Sequence, residues 1–300
     1  MFRQVLVGVD DDHGGRDAIA LAKLLAGRDG ALTFGHIFHA DTAVPWGFQD
    51  PTAPERAEEA RQLLERVAGE AGVPAHLRWE GAPSVGRGLH ELAEASDADL
   101  LVVGSSKHAL LGRVRLADDT RAALNAAPCA IAIAPAGYSS DLPSVVREIG
   151  VGYDGSTESE HALALARTLA AELGSKLSAF QAVAVPRFGY SGLSTTRPAG
   201  VPIAEMLERA RDSIAGLGGV EPHVAYGDAA EELTVYSASL DLLLVGSRSY
   251  GPVGRVIHGG IAEHLARTAR CPLLVLPRGA RTKSVEAESE SSPDAVAAAG

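Results

Sequence analysis

Glycines and arginines lie close together in the segment VGSRSYGPVGRVIHGGIAEHLARTARCPLLVLP, residues 245–277. A phosphate group needs backbone N–H donors that it can approach closely, and glycines at the start of a helix provide them. Gly259 and Gly260 stand directly before the helical pattern IAEHLARTA, whose first turn has no side chain suited to cap it. Arg248 and Arg255 are able to pair with phosphate oxygens. The segment predicts a phosphate-binding loop, and the alternative is an ordinary turn with solvated arginines.

A second version of this segment, VGSSKHALLGRVRLADDTRAALNAAPCAIAIAP, occupies residues 103–135. It has Asp118 and Asp119 where the later copy has glycines, and either carboxylate is able to cap the helix that follows. Three more acids, residues 10–12, follow the first predicted strand and would repel a triphosphate in the same crevice. The earlier copy is therefore predicted to be closed to nucleotides.

These two segments belong to a tandem repeat that covers most of the chain. QVLVGVDDDHGGRDAIALAKLLA, residues 4–26, aligns with EIGVGYDGSTESEHALALARTLA, residues 148–170, so that Asp10 falls on Asp154. The predicted division is a first domain over residues 1–138, a linker over 139–147, a second domain over 148–279 and a disordered acidic tail over 280–300.

Each repeat alternates short apolar runs with longer stretches of helical period, which is the pattern of βαβ units. The runs VLVGV, LLVVG, AIAIA, LLLVG and LLVL are apolar throughout, as in parallel strands that are covered on both faces. We therefore predict an α/β fold of two tandem Rossmann-like domains, each an open five-stranded parallel sheet with helices on both faces. The ligand crevice of such a sheet lies beyond the carboxyl ends of its strands.

The last strand of each repeat, AIAIAP and LLVLP, is an aggregation hazard if it lies at a sheet edge. We predict that these two strands meet across a pseudo-twofold axis, so that the chain is an internal pseudo-dimer. This arrangement leaves open whether two chains associate further into a homo-oligomer.

Composition excludes several classes of protein. With 300 residues, a net charge of −11 and an isoelectric point near 5.4, the chain lacks the basic surface that nucleic acid requires. No apolar run reaches membrane-spanning length and the first residues enter a strand pattern directly, so a cytoplasmic protein without membrane contact is expected. Cys129 and Cys271 are predicted to be buried, reduced thiols, and no metal site is predicted.

Three motifs of the second repeat resemble the universal stress protein family: VGYDGSTESEHAL, LDLLLVGSRS and CPLLVLP. The resemblance covers about residues 2–278 and implies a Rossmann-like sheet, domain association through the last strands and, in a subset of members, ATP bound at a Gly-x-x-Gly, nine residues, Gly-Ser/Thr loop. This chain departs from the loop pattern. The second repeat keeps Gly246 and Gly259 but has Ser249 and Gly260 at the other two positions, while the first repeat has Lys107 for the second glycine.

The resemblance also places Asp154 near the ribose or base and gives Ala182 a backbone contact with the base. The alternative role for Asp154 is to cap the following helix, together with Ser156 or Ser159. The resemblance and the loop together give the predicted cofactor-binding set: Asp154, Ala182, Gly246, Ser247, Arg248, Ser249, Gly259, Gly260 and Ile261.

Two functions from different classes follow. The first is a stress-response protein that binds ATP, with a divalent cation, in the second domain. The second is a nucleotide-free scaffold of the same fold that binds another protein, with no cofactor in the loop. An enzyme is not expected, because no acid, base and nucleophile recur together in the sequence.

Overall fold

A computed structural model describes residues 1–10, 13–27, 29–40, 52–106, 108–115, 127–140, 145–183, 202–247 and 260–277. Within these ranges ten strands form. They are β1 Gln4–Gly8, β2 Ala31–His39, β3 His76–Ala82, β4 Leu100–Gly104, β5 Ala130–Ala134, β6 Glu148–Gly152, β7 Lys176–Val183, β8 Glu221–Tyr226, β9 Leu242–Ser247 and β10 Leu273–Pro277.

Seven α-helices accompany these strands in the same ranges. They are α1 His13–Ala26, α2 Ala53–Ala71, α3 Val85–Ala95, α4 Thr157–Leu173, α5 Ile203–Ala215, α6 Ala229–Tyr236 and α7 Ile261–Thr268, and a 3₁₀ turn, Ser237–Ser239, follows α6. The alternation of strand and helix confirms the predicted α/β class.

All ten strands belong to one sheet, in the order β3-β2-β1-β4-β5-β10-β9-β6-β7-β8. Each half is parallel internally and has the doubly wound order 3-2-1-4-5, whose direction reverses between its first and fourth strands. In the second repeat that reversal lies between β6 and β9. The two predicted five-stranded sheets therefore exist, joined into one.

The join is the predicted pairing of the two last strands. β5 and β10 are antiparallel, with Leu273 opposite Ile133, Leu274 opposite Ala132 and Val275 opposite Ile131. Antiparallel pairing is what a twofold relation between two copies requires, and it removes both apolar strands from the sheet edge. The internal pseudo-dimer is confirmed.

Two hydrophobic layers cover the sheet, one on each face, and both run through the two halves. One layer combines residues of α1 and α2 with residues of α4 and α5, including Leu21, Leu64, Leu165 and Ile214. The other combines α3 with α6 and α7, and it contains Leu89, Leu233 and Leu265. Because each layer crosses the β5–β10 join, the halves share their core.

Local signals explain five of the helix ends in the described ranges. Ser84, Ser156 and Asp228 cap α3, α4 and α6 by accepting backbone N–H bonds of the first turn. Gly72 and Gly174 end α2 and α4 in the left-handed conformation that glycine adopts without strain. The sequence therefore encodes these ends with short-range chemistry.

One acidic residue in each repeat fixes the amino-terminal edge of the sheet. Asp99 accepts hydrogen bonds from the N–H groups of Arg3 (2.9 Å) and Gln4 (3.0 Å). Asp241 does the same for Arg147 (2.7 Å) and Glu148 (3.0 Å) in the second half. Both carboxylates satisfy backbone donors at the entry of the first strand of their repeat.

Candidate functional site

The carboxyl edge of the second half-sheet, where β6 and β9 end, is the candidate site. Gly260 is the N-cap of α7 with φ −71° and ψ 155°, and within the described ranges no side chain caps the first turn there. A Cβ atom built on Gly260 meets no atom of the described residues within 4 Å. Among these residues, the start of α7 therefore combines open space with N–H groups that no capping side chain occupies, unlike α3, α4 and α6.

Gly246 lies near the end of β9 against the first turn of α4. A Cβ atom there would lie 2.4 Å from the backbone oxygen of Glu158 and 2.8 Å from its Cβ. Only glycine fits at this distance without a shift of the helix. Gly246 therefore has a packing role that holds whether or not a ligand is bound.

Asp154 follows β6 and is exposed at the same edge. Its Oδ1 accepts hydrogen bonds from the N–H (3.0 Å) and the hydroxyl (2.5 Å) of Ser156. Ser156 in turn caps α4, its Oγ accepting from the N–H of Ser159 at 3.3 Å. The predicted capping is thus confirmed for Ser156, and Asp154 orients the cap.

The other predicted site residues are distributed around this edge. Ala182 lies near the carboxyl end of β7, opposite Ala225 of β8, and Ser247 ends β9 opposite Pro277 of β10. Ile261 is the first residue of α7 and is partly exposed. The remaining three, Arg248, Ser249 and Gly259, lie outside the described residues, as do Arg255, Lys107, Asp118, Asp119 and the predicted tail.

Acidic side chains surround the entrance to α4. Glu158 and Glu160 are in its first turn, and Asp154 precedes it. Their negative charge stabilises the start of that helix and at the same time opposes an anion nearby. An anionic ligand at this edge therefore needs either the α7 N-terminus as its main contact or a cation beside it.

The sequence of the chain is similar to those of known proteins. The model of the universal stress protein family matches twice, over residues 1–135 and 146–277. The chain belongs to the universal stress protein family. A universal stress protein of Mycobacterium tuberculosis is 28% identical over 289 residues, which are 90% of this chain and 96% of that protein. One of Thermus aquaticus is 28% identical over 137 residues, 44% of this chain and 97% of its own length.

Solved structures of the family share the whole architecture. A universal stress protein from Archaeoglobus fulgidus has a TM-score of 0.64 at 17% identity and covers 92% of this chain, with 99% of its own length matched. A protein from Pseudomonas aeruginosa has a TM-score of 0.61 at 20% identity, with 92% of this chain and 93% of its own covered. At these identities the likeness establishes the fold.

In the first universal stress protein domain, the described residues of the loop after β4 form a hydrogen-bond network at the position of the second domain's candidate loop. Ser105 Oγ donates to the carbonyl of Ala134 (2.7 Å) and accepts from the N–H of Arg115 (3.0 Å). Ser106 N–H donates to Arg115 O (2.8 Å), which closes the loop on itself. Asp10 Oδ1 accepts from the N–H of Gly15 at 3.1 Å, so this acid is engaged at the start of α1.

Sequence reasoning missed the packing role of the loop's first glycine. Gly104, its counterpart in the first domain, would place a Cβ 2.0 Å from the backbone oxygen of Gly14. The signal was present in the sequence, because both repeats keep this glycine although one of them has lost the rest of the loop pattern. A residue kept in both copies is better explained by the packing that both copies share.

Neither a membrane-spanning helix nor a cluster of metal ligands is found in the part of the chain that the structure describes. No helix in these ranges is long and apolar enough to cross a bilayer, and no group of three His, Cys, Asp or Glu side chains is arranged to hold an ion there. Both thiols are buried as predicted. Burial, reinforced by Asp99, raises the pKa of Cys129 to about 12, and burial, reinforced by Asp241, raises that of Cys271.

Proposed function

We propose that this universal stress protein binds ATP, together with a divalent cation, through its second domain and acts as a nucleotide-responsive stress protein. The observation that carries the proposal is the start of α7. As far as the structure describes the chain, Gly260 leaves the first N–H groups of α7 without a side-chain cap, and the space beside it is open. Helix N-termini of this kind stabilise phosphate groups by hydrogen bonding and by the helix dipole.

The position of this helix supports the proposal. In doubly wound sheets, ligands bind beyond the carboxyl ends of the strands where the strand order reverses, which here is between β6 and β9. Asp154 is exposed two residues after β6, and the family resemblance assigns this position a contact with the ribose or base. Ala182, near the end of the neighbouring β7, offers backbone groups to a base.

Each residue of the proposed site has a separate role in binding ATP and the cation. The N–H groups of Gly260 and Ile261 would hold the phosphates, with Ser247 beside them, while Gly246 keeps β9 packed against the start of α4. The cation supplies positive charge between the phosphates and the acids Asp154 and Glu158. Without it, each like-charge pair at about 5 Å costs on the order of 1 to 3 kcal/mol.

Substitution of Gly260 tests the proposal with opposite effects on folding and binding. Gly260→Asp introduces a good N-cap in an extended backbone conformation that suits it, so stability is expected to rise by about 0.5 kcal/mol. The same carboxylate occupies the free N–H groups and repels phosphate, so ATP affinity is expected to fall at least about 30-fold. Calorimetric titration with MgATP and thermal unfolding measure the two effects.

Gly260→Asn is the matched control, because it caps the helix without a charge. We expect it to weaken ATP binding less than Gly260→Asp does, and the difference measures the charge repulsion. Equal affinity in the wild type and Gly260→Asp would overturn the proposal.

A nucleotide-free scaffold is the second candidate, and one observation favours it. Leu110 and Leu111 are 68% and 84% exposed at a turn of the first domain, where Gly112 has φ +71°. Adjacent exposed leucines on a defined turn suit contact with another protein. Mass spectrometry of small molecules released from the purified native protein separates the candidates: the scaffold predicts no adenine nucleotide, and ATP or AMP favours the first proposal.

A further inference from the structure

α7 starts at the proposed phosphate site and ends in contact with the first domain. α7 has eight residues and is about 12 Å long. A helix this short is only marginally stable by itself, and its position depends on its packing. What contacts its last turn therefore bears on where its first turn lies.

That contact comes from the loop after β4. The N–H of Val114 donates to the carbonyl of Ala269, the residue that ends α7, at 2.8 Å. Val114 is 0% exposed and belongs to the same hydrophobic cluster as Leu265, Ala266 and Ala269. The last turn of α7 is thus held by a residue of the other domain, through both a hydrogen bond and apolar packing.

The topology explains how the two domains reach each other here. β5 runs antiparallel to β10, so the carboxyl end of β5 lies beside the amino end of β10, which α7 precedes. The loop is tied to the end of β5 by two bonds, from Gly112 N–H to Ala136 O (2.8 Å) and from Ala136 N–H to Arg113 O (3.0 Å). These two bonds fix the loop that places Val114 against α7.

We propose that Val114 of the first domain is a positioning residue for the nucleotide site of the second domain, acting through α7. This inference rests on the proposed ATP site. The first domain, whose own loop is predicted to be closed to nucleotides, thereby keeps a role in ligand binding: it fixes the helix that presents the N–H groups of Gly260 and Ile261. Loss of this contact lets α7 shift and lowers nucleotide affinity without touching a ligand-contacting residue.

Val114→Ala in the full chain tests the inference, with Val102→Ala as the matched control. Val102 is in β4 of the same domain, is also 0% exposed, and belongs to the hydrophobic layer on the opposite face of the sheet. Both variants lose the same two methyl groups. We expect both to lower the melting temperature, and only Val114→Ala to weaken MgATP binding, by about three- to ten-fold in calorimetric titration.

Hydrogen exchange without ligand gives an independent measurement. In Val114→Ala the amides of residues 264–269 are expected to exchange roughly three-fold faster or more, relative to Val102→Ala, because the variant keeps the backbone bond to Ala269 but loses the apolar packing against the last turn of α7. Unchanged exchange there would overturn the positioning role, whatever the protein binds. If the wild type binds no ATP, the proposed function fails, and exchange alone decides whether Val114 holds α7. If the wild type binds ATP and both variants bind equally well, the inference is wrong and the proposed function stands.

Discussion

The two domains have the same residue type at two positions that shape the sheet, one aspartate and one glycine in each domain. Asp99 and Asp241 each accept two backbone N–H bonds at the entry of a first strand. Gly104 and Gly246 each allow the first helix of their own repeat to approach the fourth strand more closely than a Cβ would permit. Positions that both copies keep are therefore those that backbone geometry requires.

Under the third helix of each domain, the two copies fill the same space differently. The first uses Leu6 and Leu92 around Gly35, whose added Cβ would lie 3.0 Å and 3.1 Å from their Cδ1 atoms. The second has Gly150 in place of Leu6, and Phe180 stacks on Tyr236 with ring centroids 4.8 Å apart. A large residue has moved from one strand to its neighbour, and the packing is kept because total volume matters more than the position of each side chain.

The largest expected effect tests the shared glycines. Gly104→Ala and Gly246→Ala are each expected to lower the free energy of unfolding by about 3 kcal/mol, because the new Cβ meets helix backbone instead of a movable side-chain end. Gly69→Ala in α2 is the control: no atom lies within 4 Å of its added Cβ, and a gain of about 0.5 to 1 kcal/mol is expected. Urea denaturation measures all three. An unchanged free energy of unfolding in either Gly104→Ala or Gly246→Ala would contradict the claim that both domains keep this glycine for packing.

Alkaline titration tests whether the two buried thiols are equivalent. Burial raises the pKa of Cys129 to about 12 and also raises that of Cys271, whereas an unfolded thiol ionises near its ordinary pKa of about 8.5. Above the unfolded pKa, the unfolded chain binds fewer protons than the folded one. The thiols therefore make their full contribution to the free energy of unfolding below about pH 8.5, and this contribution falls as the pH rises. Each thiol is expected to contribute a loss of about 1.4 kcal/mol per pH unit between about pH 9 and 10.

Single variants measure how much each domain contributes to this pH dependence of the free energy of unfolding. Cys129→Ala and Cys271→Ala should each remove a comparable part of the pH dependence in urea denaturation. Removal of the whole slope by one variant would mean that the two thiols lie in unlike environments.

The smallest effect concerns the exchanged core residues. Gly150→Ala would place a Cβ 2.3 Å from Leu240 Cδ1 and 2.9 Å from the Tyr236 ring, so a loss of about 1 to 2 kcal/mol is expected. In Gly35→Ala the two close contacts, at 3.0 Å and 3.1 Å, are movable leucine ends, so the variant should cost less, about 0.5 kcal/mol. Thermal unfolding of both variants gives the order, and a larger loss at Gly35 would contradict the account of how the two cores are filled.

Much of this fold was predictable because the sequence repeats and its strands are apolar. The duplication predicted two half-sheets, the two apolar last strands predicted their own pairing, and the Asp and Ser residues after β6 predicted a cap for α4; all three are confirmed, with Ser156 as the cap. These features depend on short-range patterns or on one copy matching the other.

Other features depend on which distant residues meet, and a single sequence does not record that. The packing of Gly246 on Glu158 follows from the approach of two elements about 90 residues apart. The bond from Val114 to Ala269 joins residues of different domains. The candidate site itself stays a prediction, since its loop residues Arg248, Ser249 and Gly259 lie outside the described ranges.

The number of ATP molecules bound per chain tests the central claim most directly. That claim is that one domain of the pair presents an open α7 N-terminus to phosphate while the other serves as its structural partner. Calorimetric titration of the full wild-type chain with MgATP is predicted to give a stoichiometry of one. A stoichiometry of two would mean that the first domain also binds nucleotide, and the absence of binding would mean that neither does.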